Sequence, residues 1–242
     1  MQAATPTLVP KRKRSTNPIL GWAFSSLGKK SIVAVTGLML IGFLVVHLLG
    51  NLTVFFGQDA MNTYAEKLHS LGGLLWIARI GLLAVFGLHI GFTISLILEN
   101  RAARPQKYVA GDRVGSSVFV RTMRYTGFIV LAFVIFHLAH LTLGWVQPAV
   151  YSMVDGLGRP DVYSMVVIGF QNVPISLFYI FALILLTFHL SHGIGSLFQT
   201  LGLSNHRLRP LLSLAGKAFA WILCAGFIAI PLFILLGFVK LP

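Results

Sequence analysis

The 242-residue sequence is poor in acid and almost without cysteine: it has six Asp+Glu and one cysteine, Cys224. The carboxylates Asp59, Glu66, Glu99, Asp112, Asp155 and Asp161 all fall between long apolar stretches or at their ends. A proton pump or cation-coupled transporter ordinarily keeps a carboxylate at mid-membrane, so their absence there counts against that class. A single cysteine excludes an internal disulfide, a Cys-x-x-Cys-His covalent haem site and a cysteine-ligated iron–sulfur cluster within the chain. Charge is scarce altogether, at 10% of residues against 56% hydrophobic, with a mean hydropathy of +0.84. A soluble domain of this length needs far more charge to coat its surface. That excludes a water-soluble globular enzyme, and the hydrophobicity excludes a disordered chain.

What is present is apolar sequence in membrane-length runs. A bilayer core of ~30 Å takes ~20 apolar residues as a helix. Five stretches qualify: 31–49, 74–98, 125–146, 173–201 and 214–239. The expected fold is an all-α integral membrane protein, with a basic segment at 1–30 and one five-helix membrane domain at 31–242. The first stretch is too long for a cleavable signal peptide and has no small-residue cleavage site. Pro148, Pro160 and Pro174 fall in or beside loops, and Pro231 lies inside the fifth span, where packing tolerates the kink it imposes.

The net charge of +13 comes from 19 basic residues. In a soluble protein this would suggest nucleic acid; interleaved with apolar spans it indicates anionic lipid headgroups and membrane orientation. One side carries 15 of them: Lys11, Arg12, Lys13, Arg14, Lys29 and Lys30, then Arg101, Arg104, Lys107, Arg113, Arg121 and Arg124, then Arg207, Arg209 and Lys217. The other side carries Lys67, Arg79, Arg159 and Lys240. Positive residues stay inside, so the N-terminus is expected in the cytoplasm and the C-terminus outside.

Four spans contain histidine: His47 in the first, His89 in the second, His137 and His140 in the third, His189 and His192 in the fourth. A lone intramembrane histidine ordinarily makes an interhelical hydrogen bond. Four helices that each carry one, beside a fifth that carries none, point to two bis-imidazole haems in an apolar bundle. Zinc is the other acceptor of imidazole, but it favours one tetrahedral set with thiolate or carboxylate.

An internal repeat orders the third span. Thr36-Gly37, Phe43 and His47-Leu48 recur as Thr126-Gly127, Phe133 and His137-Leu138, all at an offset of 90 residues. His137 is thus the counterpart of His47, and Gly50 stands where His140 would be matched. His189 follows His89 by 100 residues with weaker flanking similarity, and His192 lies one turn on. Measured from the cytoplasmic ends, His47 is ~25 Å deep, His137 ~20 Å, His189 ~18 Å and His89 ~16 Å. The depths pair His47 with His137 as an outer set and His89 with His189 as an inner one. Glycines at 37, 42, 81, 87, 91, 127, 193 and 195 admit either a flat macrocycle or a neighbouring helix.

These features resemble the membrane cytochrome b subunit of succinate dehydrogenases and fumarate reductases, in its single-chain, five-helix, dihaem form. The resemblance rests on Thr36-Gly37 through His47-Leu48-Leu49-Gly50-Asn51, His89, Thr126-Gly127 through His137-Leu138, His189, Gly193 and Gln199-Thr200-Leu201-Gly202. It implies four axial ligands from the first four helices, paired first with third and second with fourth. It also places the fourth ligand four residues before a glycine, which selects His189. Further implications are two b haems, a quinone partner (menaquinone for this branch), a flavoprotein subunit and an iron–sulfur subunit, and a multi-pass location in the bacterial cytoplasmic membrane. Some fumarate-reducing members carry a carboxylate near the fourth ligand; Leu185, Leu186, Thr187 and Phe188 supply none here. The chain also has no Gly-x-Gly-x-x-Gly fingerprint, so dicarboxylate chemistry belongs to a partner.

Weaker candidates remain. Asn51, Glu66, His69 and Trp76 are candidates for a quinone pocket at the outer end, against the plainer role of solvated loop residues. Lys30, Ser31, Arg121 and Arg124 are candidates for haem propionates or the iron–sulfur subunit, against a plain positive-inside anchor. His140 and His192 are candidates for propionate or quinone contacts, or for bridging helices. His206 is expected to be solvated. Two other functions compete: a cytochrome b anchoring a hydrogenase or formate dehydrogenase, and a haem-free transporter or scaffold.

Overall fold

A computed structural model describes residues 17–103 and 118–242, with the backbone alone at 118–122 and 124. Lys11, Arg12, Lys13, Arg14, Arg104, Lys107, Asp112 and Arg113 lie outside the described residues, as do the side chains of Arg121 and Arg124. The elements are α1 (Pro18–Ala23), α2 (Ser26–Asn51), α3 (Gln58–His69), α4 (Gly73–Ala102), α5 (Val118–His137), α6 (Pro148–Tyr151), α7 (Val162–Gln171), α8 (Val173–Thr200) and α9 (Arg209–Leu235). Five of them, α2, α4, α5, α8 and α9, give helices long and apolar enough to cross a membrane. The chain is an all-α integral membrane protein.

Local chemistry sets the boundaries. Ser25 accepts a hydrogen bond from the Gly28 amide to open α2, and Asn172 accepts one from Ile175 to open α8. Pro174 and Pro210 lie in the first turns of α8 and α9, where their missing N–H costs nothing. The first span is longer than expected, running as Ser26–Phe56 once a 3₁₀ turn at Leu52–Phe56 is included. The third is shorter at its far end. After His137 the helix widens into one π turn, Leu138–Thr142, in which the Leu143 amide donates to the Leu138 carbonyl at 2.8 Å. Gly144 then takes φ 66 and ends the span. The fifth ends at Leu235, short of the expected 239.

Packing follows the order α4 on α2, α2 on α8, α5 on α8, and α8 on α9. The α2–α5 and α4–α8 diagonals have no comparable backbone seam among the described residues. Leu48, Leu183, Leu186, Leu190, Ala220, Leu223 and Cys224 form one core between α2, α8 and α9.

Two helices between spans were not legible in hydropathy. Amphipathic α3 and short buried α7 cover one end of the bundle and are tied together by polar groups. Asn62, fully buried, donates to Asp155 and Asp161 at 3.1 and 3.0 Å and accepts from the Tyr163 amide. Arg159 bridges Asp59 and Asp155 at 2.9 and 2.8 Å. Burial disfavours ionisation of Asp155, but hydrogen bonds from the Arg159 and Leu157 amides and from the Asn62 and Arg159 side chains outweigh it and hold its carboxyl at about 2. At the opposite end Lys29, 1% exposed, bonds Ser95 and Glu99 at 2.6 Å each and fastens α2 to α4.

Candidate functional site

The four expected ligands stand on the unseamed diagonals of the bundle. His47 of α2 faces His137 of α5 with ring centroids 5.8 Å apart and planes at 87°. This pair lies toward the α3–α7 end. Phe43 stacks on His47 at 5.1 Å, and Phe227 of α9 approaches from another side at 5.8 Å. The Asn51 amide donates to the His47 carbonyl at 2.7 Å and sits 3.3 Å from its Nδ1.

His137 is supported from α8. The Tyr179 hydroxyl lies 3.4 Å from His137 Nδ1 and 2.9 Å from His140 Nδ1. His140 Nε2 in turn lies 3.1 Å from the Gln147 amide oxygen. His140 lies within the π turn, packs on Tyr179 and is buried at 3% exposure. Gly169 of α7 leaves room for it: a Cβ there would stand 3.2 Å from His140 Nε2.

The second pair lies toward the other end. His89 Nδ1 is 3.2 Å from Thr36 Oγ1, whose own proton goes to the Ile32 carbonyl at 2.7 Å. The hydroxyl oxygen therefore accepts from Nδ1–H, and Nε2 keeps its lone pair. His189, half-buried on α8, lies across the α4–α8 diagonal from His89. Its buried Nδ1 makes no well-aligned hydrogen bond among the described residues. The two rings rest on the repeated glycines. A Cβ at Gly37 would stand 3.3 Å from His89 Cε1, and one at Gly127 would stand 3.5 Å from His189 Cε1.

These residues fit a flat macrocycle held between two imidazoles. Metal–nitrogen bonds of about 2 Å on each side, with the ring radii, bring two axial imidazole centroids to about 6 Å, close to the 5.8 Å of His47 and His137. The diagonals lack a backbone seam, and bare glycine edges His89 and His189. No three His, Cys, Asp or Glu side chains gather as a metal-ion cluster among the described residues; the histidines come in pairs, not as one tetrahedral set.

The secondary candidates separate. Asn51 belongs to His47, as above. Glu66 and His69 are exposed on α3, and Trp76 is exposed on α4 with the Arg79 guanidinium 5.2 Å over its ring. No hydrogen bond or ring contact joins them to Asn51 among the described residues. Lys30 is exposed and Ser31 half-buried, whereas the neighbouring Lys29 makes the buried ion pair. His192 is half-buried and His206 exposed. Tyr179 was missed in the sequence, although the rule that picked out the histidines applies to it: a polar group inside a span needs a reason.

A family model for the succinate dehydrogenase/fumarate reductase transmembrane subunit matches residues 98–224, more than half of the chain. The chain belongs to that family. It is thus a membrane subunit of the succinate dehydrogenase/fumarate reductase type. The matched stretch of this subunit contains His137, His140, Tyr179, His189 and His192, and stops short of His47 and His89. Comparison with curated proteins and with solved structures gives no match.

Proposed function

We propose that this subunit is the quinone-reactive cytochrome b anchor of its complex, carrying two b haems. His47 and His137 would hold the outer haem, and His89 and His189 the inner one. The observation that carries this reading is the diagonal pairing of one histidine from each of four spans, with His47 and His137 at the spacing of two axial ligands. The internal repeat extends it beyond the matched stretch, because Thr36 to His47 echoes Thr126 to His137.

Bound haem supplies one-electron transfer across the bilayer. The chain's own residues orient and insulate. Thr36 turns His89 Nδ1 toward protein and frees Nε2; Phe43, Phe133 and Phe227 keep water from the outer pair. The charge bias puts the inner pair on the cytoplasmic side, nearer an iron–sulfur subunit. Such a subunit, fed by a flavoprotein, would exchange electrons with this chain, which passes them to a membrane quinone; menaquinone is our choice on resemblance alone. The basic segment 1–30 would anchor the cytoplasmic face. Succinate or fumarate would react elsewhere, since no dicarboxylate site is proposed in this chain.

A pyridine haemochrome assay on the purified complex tests this. About two non-covalent haems per chain are expected, extractable by acid acetone. An active complex without haem would overturn the reading.

A further inference from the structure

Gln147, His140, Tyr179 and His137 form a hydrogen-bonded line running from the loop before α6 into the bundle. Its direction is fixed at the loop end. The Gln147 amide oxygen can only accept, so His140 donates from Nε2–H at 3.1 Å. A neutral imidazole has one N–H, so His140 Nδ1 must accept, and the Tyr179 hydroxyl at 2.9 Å donates to it. The Tyr179 oxygen, its proton committed, is left as an acceptor facing His137 Nδ1 at 3.4 Å. His137 then carries its proton on Nδ1, and its Nε2 lone pair is free.

We propose that Tyr179 is a positioning residue for His137, holding it in the tautomer that ligates through Nε2, with His140 and Gln147 setting the direction of that hold. This rests on the reading of His137 as a haem ligand. It also gives His140 a role distinct from ligation. The arrangement is built: His140 is 3% exposed and Tyr179 is 4% exposed, and Gly169 makes room where a Cβ would meet both His140 Nε2 and the Gln147 oxygen. An acceptor on the far nitrogen of an axial imidazole makes the ligand more basic and favours the more highly charged ferric iron. Removing that acceptor raises the reduction potential of one haem and leaves the other alone.

The test uses the whole complex purified from membranes, with haem as the probe. Tyr179→Phe keeps the ring and deletes the hydroxyl. Both haems should remain, and one midpoint potential should rise by about 59 mV, a tenfold shift in relative ferrous-to-ferric affinity for a one-electron couple. The low-spin paramagnetic resonance signal of that haem should change with it. Gln147→Leu leaves Tyr179 and both rings in place, so it serves even if Tyr179→Phe fails to assemble. It should move the same haem in the same direction by less. Two haems with unchanged potentials and signals in the assembled variants overturn the proposal while leaving the dihaem reading intact. Loss of a haem in His140→Ala overturns it too, by making His140 a ligand. A wild-type complex lacking haem overturns the reading beneath it.

Discussion

Gly37 lies against the imidazole of His89, so that a Cβ on it would stand 3.3 Å from Cε1. Gly127 bears the same relation to His189 at 3.5 Å. The repeated glycine of the first and third spans therefore serves the histidines of the second and fourth. The repeated histidines eleven residues on, His47 and His137, face each other. One motif, used twice, seats both pairs.

Gly37→Val should displace the His89 ring. Forcing branched carbons into a packed contact costs about 1–3 kcal/mol, and here the side chain that must yield is a proposed ligand. Weakened or lost inner haem is expected. Gly42→Val, on the same helix with nothing within 4 Å of a built Cβ, should retain both haems. Haem content and low-spin signals of the two variants check the contrast; equal losses would argue against the seating role.

Single replacements of His47 and His137 by Ala should remove the same haem, and those of His89 and His189 the other. The double variant His47→Ala/His137→Ala should lose no more than one. Redox-resolved visible spectra separate the components.

Thr36→Val is nearly isosteric and removes the oxygen 3.2 Å from His89 Nδ1. The inner haem potential should rise by about 59 mV for a tenfold change in relative affinity, with the outer haem unmoved. Thr36→Ser keeps the hydroxyl and should restore the wild-type value in a redox titration.

The polar lock at the α3–α7 end should yield to acid. Asp155 has its folded carboxyl at about 2, below the ordinary 3.8, so its contribution is complete above that ordinary value and disappears as pH falls toward about 2. Asp161 is shifted in the same direction: burial opposes ionisation, but hydrogen bonds from Ser164, Asn62 and Gln58 outweigh it. Amide exchange in residues 155–171 should be insensitive to this lock from pH 8 down to roughly 5, and the lock should loosen below roughly 4. Asp155→Asn should loosen it at neutral pH and blunt the acid dependence.

The sequence by itself determined the five spans and the class of protein, because hydrophobic length and scarce charge are one-dimensional properties that the bilayer reads directly. It also singled out the intramembrane histidines, since polar groups there are few and costly, and the repeat set His137 apart from His140. Span ends were less legible. Neither the π turn after His137 nor the 3₁₀ extension to Phe56 has a hydropathy signature of its own.

Only the tertiary structure decided which groups support the rings. Tyr179 lies 42 residues from His137 and Thr36 lies 53 from His89, so nothing local in the chain joins them. The same holds for α7, a short helix with too few residues to span, which supplies Gly169 to His140. Asn51 shows the limit most directly. Its place at the end of a span suggested a pocket with Glu66, His69 and Trp76, but helical geometry puts its amide one turn above His47, onto that residue's carbonyl. Residue types fix what each group can bond; packing of distant segments fixes which bond is made.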